Sequence, residues 1–79
     1  MNTQAEIIPN PSRGKLFVVG AQEGTELSVY SEGGKEIYHS PVSGNQSIID
    51  LSAQPEGVYF VELNRPGEVE LRKITLKKY

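Results

Sequence analysis

Short stretches in which apolar and polar residues alternate are the main pattern along this chain. In "TELSVYS", Leu27 and Val29 alternate with polar neighbours, which is the period of a strand with one buried and one solvated face. Clusters of Gly, Pro, Asn and Ser separate such stretches at short intervals, as in a β-sandwich or barrel. No window keeps the spacing of an amphipathic helix. The pattern predicts seven strands, over residues 5–8, 15–19, 26–31, 36–40, 46–51, 58–64 and 69–77.

The stretch "GVYFVEL" is the least polar of the seven, and we predict that it lies in the middle of a sheet. Tyr59, Val61 and Leu63 share one face, which we expect to be buried in the core. Val58 and Phe60 share the opposite face. If that face is exposed, their side chains form an apolar patch of the kind that marks a partner site.

The final strand changes its phase part of the way along. Val69 and Leu71 point to one face, whereas Ile74 and Leu76 are out of phase with them by one residue. A period of two cannot absorb this shift. We therefore predict either a β-bulge near residues 72–73, which would return both pairs to the core, or a crossing of the strand between two sheets.

Two turns are specified by their residues. "RPGE" places Pro66 and Gly67 at the second and third positions of a type II turn. "EGGK" offers Gly33 and Gly34 for positive φ in a hairpin.

The stretch "PNPSRG" predicts a stiff, extended corner between the first two strands. Pro9 and Pro11 fix their own φ and favour extended conformations in the residues before them. The Asn10 side chain can bond to the backbone two residues on, and Gly14 permits the reversal into the next strand.

Length and composition restrict the class of protein. The chain has 79 residues, which allows one domain with a small core and a thin margin of stability. Its net charge of −2 excludes the general basic field that gathers nucleic acid. Without cysteine, disulfides and thiolate metal sites are excluded. No apolar stretch has the length of a membrane-spanning helix, and "MNTQAE" lacks the features of a signal peptide.

The basic residues are unevenly distributed. Half of the eight lie in the last eight positions, at Arg72, Lys73, Lys77 and Lys78. This distribution is typical of a solvated final strand, and it also fits a basic handle that a partner binds.

Catalytic and metal-binding residue patterns are lacking. His39 is the only histidine, and no thiol or strand–turn–helix elbow accompanies it. The acids are scattered, so no closely spaced set of oxygen ligands for a hard cation is predicted. No glycine opens a helix that could cradle a phosphate. We predict no enzyme activity, no cofactor and no metal.

Four motifs occur in order along almost the whole chain, from Ile7 to Lys78. They are "PNPSRG" at 9–14, "LSVYSEGGKEI" at 27–37, "PEGVYFVEL" at 55–63 and "RKITLKK" at 72–78. Together they closely resemble the C-terminal sorting domain of proteins secreted by the type IX (Por) system. That family's pattern has a PNPxxG opening, a strand–(D/N)xxG(K/R)–strand hairpin, a PxGxY element and a last strand that ends in lysine.

Four residues depart from this pattern. Ser31 and Glu32 stand where the family often has Asp or Asn before the hairpin glycine. Gln54 replaces a leucine of the family's "LxxLPxG", and Tyr79 follows the lysines that commonly end the family's chains.

The resemblance implies a fold and a set of recognition residues. The implied fold is an all-β, immunoglobulin-like antiparallel β-sandwich of about seven short strands. Residues 1–5 would be a flexible remnant of the linker to the cargo, and residues 6–79 the sorting domain. The implied recognition residues are Pro9, Asn10, Pro11, Gly14, Gly34, Pro55, Gly57, Tyr59, Lys73, Lys77 and Lys78, with Val58 and Phe60 as the candidate partner patch.

The resemblance also implies a route and a set of partners. The domain would be joined to an N-terminal cargo domain, fold in the periplasm and dock to the translocon and shuttle proteins of the outer membrane. A sortase-like peptidase would then remove it by a cut N-terminal to Ile7, leaving the cargo at the cell surface or secreted. Nucleic acid is not an implied partner, and a homodimer that covers Val58 and Phe60 is open.

Two other kinds of function fit the residues. A permanent immunoglobulin-like accessory module could bind carbohydrate or protein, although only Tyr30, Tyr38, Phe60 and Tyr79 offer rings for a sugar. Alternatively, residues 69–77 could add to a partner's sheet edge as a donated strand.

Overall fold

Seven strands form two antiparallel sheets that pack face to face. The computed structural model describes residues 5–9, 11–42 and 46–78. Each predicted strand is present with ends within one residue of the predicted ones. The strands are β1 (Glu6–Ile8), β2 (Lys15–Val19), β3 (Glu26–Ser31), β4 (Glu36–Pro41), β5 (Gln46–Asp50), β6 (Gly57–Arg65) and β7 (Glu68–Leu76).

The strand order confirms the predicted all-β sandwich and the central place of β6. One sheet has the order β1-β2-β5 and the other the order β4-β3-β6-β7. All pairings between neighbouring strands are antiparallel. Within the described residues, no helix has the length and apolar character needed to cross a membrane.

The core lies between the sheets and is filled by the alternate side chains of their facing surfaces. Burying one such side chain contributes about 1.5–3 kcal/mol, so this layer supplies most of the favourable free energy of folding. The face of β6 predicted to be buried is confirmed, since Tyr59 is 4% exposed and Val61 and Leu63 are fully buried. The largest fully buried side chains are Leu16, Leu27, Ile49, Leu63, Ile74 and Leu76.

Strand β7 corrects the predicted bulge. It pairs with β6 in one continuous register, from Gly57 opposite Leu76 to Arg65 opposite Glu68, and it stays in one sheet. Both the bulge near residues 72–73 and the crossing between sheets are therefore wrong. Ile74 and Leu76 are buried, whereas Val69 and Leu71 are each 59% exposed on the outer face.

The reason lies in the residues that occupy the inward positions of the first half of β7. Glu70 and Arg72 take these positions, and Arg72 Nη2 lies 2.8 Å from Glu70 Oε2. Both side chains are only partly exposed, and the long stem of an arginine covers apolar surface while its charged head reaches water. The ion-paired side chains of Glu70 and Arg72 thus occupy the inward positions that the pattern predicted for Val69 and Leu71.

The hairpin between β3 and β4 has one glycine with positive φ rather than two. Gly34 has φ +92°, whereas Gly33 does not have positive φ, so the prediction for Gly33 is wrong. Ser31 N–H donates to Lys35 O (2.8 Å) and Gly34 N–H donates to Ser31 O (2.8 Å). These bonds close a three-residue loop that needs a single left-handed residue. The Ser31 hydroxyl accepts from Lys35 N–H (3.3 Å), in the place of the family's Asp or Asn.

Gly67 agrees with the predicted type II turn, since its φ is +80°. At the other end of the chain, Ala5 is 1% exposed and belongs to the core cluster, although the predicted boundary assigns it to the linker. The predictions for residues 1–4, Asn10 and Tyr79 lie outside the described residues.

The register of β7 predicts opposite effects for neighbouring apolar residues. Ile74→Ala should lower the free energy of unfolding by about 2–5 kcal/mol, because it removes buried methyl groups and leaves a cavity. Leu71→Ala should change it by less than about 0.5 kcal/mol, because that side chain is mostly in water. Urea unfolding of the two variants measures the difference. A loss of similar size in both would favour the bulged strand.

Candidate recognition site

Each of the four sequence motifs has residues at the same end of the sandwich. The β1–β2 loop turns there, beyond the pair of Ile8 and Phe17. Strand β6 begins at the same end, opposite Leu76 at the end of β7. The β3–β4 hairpin also lies there, because Ser31 pairs with Tyr59. We call this the motif end; its described residues are 9, 11–14, 32–35, 51–57 and 77–78.

Ser12 joins the corner to the last strand. Its N–H donates to Thr75 O (2.9 Å), and Lys77 N–H donates to Ser12 O (2.7 Å), which makes a parallel bridge between Ser12 and Leu76. The Ser12 hydroxyl donates to Lys15 O (2.7 Å) and accepts from Gly14 N–H (3.1 Å). With 1% exposure, the residue has all its polar groups paired inside the fold.

Ser12 was missed in the sequence because it occupies an unspecified position of PNPxxG. The sequence did contain a signal of its inward position, since the small Ser12 lies between the larger Pro11 and Arg13 in a segment predicted to be extended. In the structure Ser12 is buried and both neighbours are exposed.

Gly14 lets the corner pass against the segment that follows β5. Its φ is +152°, and a Cβ on it would lie 3.1 Å from both Cα and Cβ of Ser52. Gly14 O also accepts a hydrogen bond from Leu51 N–H (2.6 Å). A side chain would therefore meet backbone as well as an unfavourable φ.

The "PEGVY" element is closed by its tyrosine. Tyr59 is buried, and its hydroxyl donates to Pro55 O (2.6 Å). Burial raises the pKa of the Tyr59 hydroxyl, because the phenolate would lose its hydration. Gly57, where the chain enters β6, has φ +150°. Tyr59 thus fixes the loop before its own strand.

Lys78 is tied to the same loop by two bonds. Its Nζ donates to Ser52 O (2.7 Å), and its N–H donates to Glu56 Oε2 (3.0 Å). Lys77 differs, because its backbone is bound to Ser12 while its side chain is exposed.

Asp50 caps the turn that leads into this loop. Its Oδ1 accepts from Ser52 N–H (3.0 Å) and from the Ser52 hydroxyl (2.6 Å). These bonds lower the pKa of the Asp50 carboxyl, with smaller contributions from the nearby charges of Lys15 and Lys78.

A shallow cleft of about 190 Å³ opens beside the Ser12 bridge. Pro11, Ser12, Arg13 and Lys77 line it. Its two cationic side chains come from segments more than 60 positions apart in the chain. Pro11 and Lys77 were predicted as recognition residues, whereas Arg13 was not.

Two of the predicted recognition residues lie apart from this cluster. Lys73 is on the outer face of β7 opposite Phe60, away from Lys77 and Lys78. Gly34 is at the same end of the molecule, but in the hairpin at the far edge of the β4-β3-β6-β7 sheet from β7.

Val58 and Phe60 share the outer face of β6, as predicted, and both are half-buried. Their role as a partner patch stays a prediction. A more exposed apolar row crosses the outer face of the other sheet, where Ile8, Phe17 and Ile48 lie side by side. Ile8 is 48% and Ile48 is 55% exposed. This row depends on strand pairing, so the linear sequence gave no direct signal of it.

His39 takes part in a polar cluster on the outer face of the β4-β3-β6-β7 sheet. Its Nδ1 lies 2.9 Å from the Ser28 hydroxyl and 3.3 Å from Glu36 Oε2, and its Nε2 lies 2.8 Å from Glu26 Oε1. Ser28 is only 4% exposed, and its hydroxyl is hydrogen-bonded to the imidazole ring. Across the described ranges, no group of three or more His, Asp or Glu side chains is arranged to hold a metal ion.

The close approach at Gly14 predicts a large difference between two glycine substitutions. Gly14→Ala should lower the free energy of unfolding by about 1–3 kcal/mol, because it adds strain at φ +152° and a contact with the Ser52 backbone. The matched control is Gly33→Ala, with open space around its Cβ and no positive φ, and it should be neutral or slightly stabilising. Equal effects in urea unfolding would contradict this account.

The Asp50 cap predicts a dependence of stability on pH. Because its folded pKa is lowered, the cap stabilises the fold above the unfolded pKa of about 3.9 and is lost as pH falls through the folded pKa. Asp50→Asn should therefore lower the free energy of unfolding at pH 7. Between about pH 5 and pH 2, the free energy of unfolding of the variant should fall less than that of wild type. Urea midpoints across this range test it. Parallel curves for the two proteins would rule the cap out as a titrating group.

Comparison with known proteins agrees with this geometry. The family described as "Secretion system C-terminal sorting domain" matches residues 6–77. Among solved structures, the chain is similar to PorZ of Porphyromonas gingivalis, described as an essential bacterial surface component of the type-IX secretion system. The TM-score is 0.72 at 18% identity, which shows a shared fold.

That similarity covers 92% of this chain and 11% of the PorZ chain. A search of curated proteins found no match. The family match runs from the first strand to Lys77 and includes the first three motifs whole and the fourth except Lys78. The chain therefore belongs to the family of type IX secretion system C-terminal sorting domains, which mark proteins for export to the cell surface or for secretion.

Proposed function

We propose that the secretion machinery recognises the motif end of this domain as a folded surface. The observation that carries the proposal is the convergence of four separate sequence segments at one end of the sandwich. Several motif residues there build structure and are not available to a partner. Ser12 and Tyr59 are buried, and their polar groups are paired inside the fold. The partner would therefore contact the exposed side chains that these residues position.

The opposite end of the sandwich suits the cargo. Strand β1 begins there, with Glu6 opposite Val19, while the chain reaches Lys77 and Lys78 at the motif end. A cargo domain joined before Ala5 would thus leave the motif end uncovered. We propose that the linker to the cargo precedes Ala5, which packs in the core.

We further propose the route that the cargo follows. The domain folds in the periplasm, docks to the translocon and shuttle proteins of the outer membrane, and carries its cargo to the cell surface or the medium. A sortase-like peptidase then cuts N-terminal to Ile7. In this proposal the domain itself performs no chemistry.

A transfer experiment tests this function. Residues 1–79 are fused behind a fluorescent reporter that carries an ordinary signal peptide, in a cell with a working type IX system. We expect the reporter to reach the surface or medium, and its mass to show loss of the domain. A second fusion that ends at Leu76 lacks the Lys77–Ser12 bond and both Lys78 bonds. It should stay in the periplasm.

Each result has a separate meaning. Retention of the full fusion in the periplasm would contradict the sorting function in this cell. Export with the 79 residues still attached would contradict removal by a peptidase but keep the sorting function. Export of the truncated fusion at the full rate would show that the motif end is not what the machinery reads. A Leu71→Ala fusion is the control, because Leu71 lies outside the motif end and its side chain is mostly in water.

A further inference from the structure

We infer that the cleft between Arg13 and Lys77 binds carboxylate groups of an acidic segment on a protein of the secretion machinery. The inference rests on the proposed function and names the chemistry by which the motif end would be read. Three observations carry it: two cations line one cleft, neither has an ion-pair partner among the described residues, and this end of the molecule has a positive formal charge.

The Ser12 bridge forces the two cations together. Because Ser12 and Leu76 are paired in parallel and both point inward, the next residues, Arg13 and Lys77, lie side by side and point outward. The bridge therefore brings two cationic side chains to one cleft.

The described residues offer this pair no compensation. Neither the Arg13 guanidinium nor the Lys77 ammonium makes an ion pair within them. The nearby acids are already engaged, since Asp50 accepts from Ser52 and Glu56 accepts from Lys78 N–H. By contrast, both arginines further along the chain are paired, each at 2.8 Å, as Arg65–Glu68 and Arg72–Glu70.

The distribution of charge between the two ends of the sandwich also favours an acidic partner. To compare the two ends, we divide each sheet at the residues paired across its strands with Val61 in one sheet and with Phe17 in the other. Six of the eight basic residues but only four of the ten acidic residues (Glu32, Glu36, Asp50 and Glu56) lie on the motif side, so its formal charge is +2 although the whole chain has −2. The six basic residues are Arg13, Lys15, Lys35, Lys73, Lys77 and Lys78.

The shape of the cleft favours a side-chain carboxylate over a large anion. A volume of about 190 Å³ accommodates an Asp or Glu side chain, and the Pro11 ring gives it an apolar wall. The planar fork of Arg13 matches a carboxylate in a bidentate manner, and Lys77 adds a point charge. A positive end also steers an acidic partner toward the cleft during encounter.

Export rates of single-charge variants test the inference. Arg13→Gln and Lys77→Gln should each slow export of the reporter fusion roughly tenfold, the effect expected from losing one charge-assisted hydrogen bond. Lys77→Arg should keep most of the rate, whereas Arg13→Lys should keep only part of it, because lysine supplies the charge without the bidentate fork. Lys15→Gln is the matched control, because it removes one exposed charge from the same end but lies outside the cleft, and it should export normally.

Two further measurements separate recognition from folding and from another ligand. Thermal unfolding of Arg13→Gln and Lys77→Gln should show no loss of stability, because neither charged group makes an ion pair within the described residues. Zero-length carbodiimide crosslinking in exporting cells should join Lys77 Nζ to an Asp or Glu of a type IX protein, as mapped by mass spectrometry.

The outcomes are distinguishable from those of the proposed function. If wild type is not exported, the proposed function fails and this inference with it. If wild type, Arg13→Gln and Lys77→Gln are all exported equally, the inference alone is overturned. Binding of the purified chain to inorganic phosphate or to vesicles of the host's lipopolysaccharide, lost in both variants, would assign the cleft to a phosphate ligand and overturn the protein partner.

Discussion

The parallel bridge between Ser12 and Leu76 is the constraint on which the motif end depends. It connects the β1–β2 loop of one sheet to the last strand of the other. The N–H and the carbonyl of Ser12 form the bridge, and its hydroxyl makes two further hydrogen bonds within the loop. Each such hydrogen bond contributes only about 0.5–1.5 kcal/mol. In a domain of this size, whose core is small, several of them at one joint are a substantial part of the net stability.

The bridge also explains why distant motifs need one another. Gly14 must lack a side chain because the corner that contains Ser12 is held against Ser52. Ser52 is in turn fixed by the Asp50 cap, and its carbonyl accepts from Lys78, which follows the bridged part of β7. The chain of contacts thus returns to the strand at which it began. Loss of any one member loosens a closed loop of interactions rather than a single contact.

The strands, the buried face of β6 and the conformation at Gly67 could be predicted from the sequence, because they follow from local period and turn chemistry. The bulge in β7 was predicted wrongly, because apolar residues were assumed to take every inward position. The Glu70–Arg72 pair shows that charged side chains can line the edge of a core when their charges are matched. Ser12, Arg13 and the row through Phe17 depend on which strands meet, and a linear pattern carries no direct record of that.

A division of roles between motif positions follows from these contacts. Gly14 of the PNPxxG motif permits the close backbone approach, and Tyr59 of the PxGxY motif makes an internal hydrogen bond. These two residues therefore determine the shape of the motif end rather than the chemistry of its surface. Arg13 and Lys77 face solvent beside them. Arg13 occupies an unspecified position of PNPxxG, and Lys77 is one of the lysines that end the last motif. In the recognition that we propose, the motif residues set the shape of this end, and the side chains between them set the charge that a partner meets. If the machinery reads this pair, as we propose, recognition requires the folded domain, because the Ser12 bridge brings Arg13 and Lys77 together.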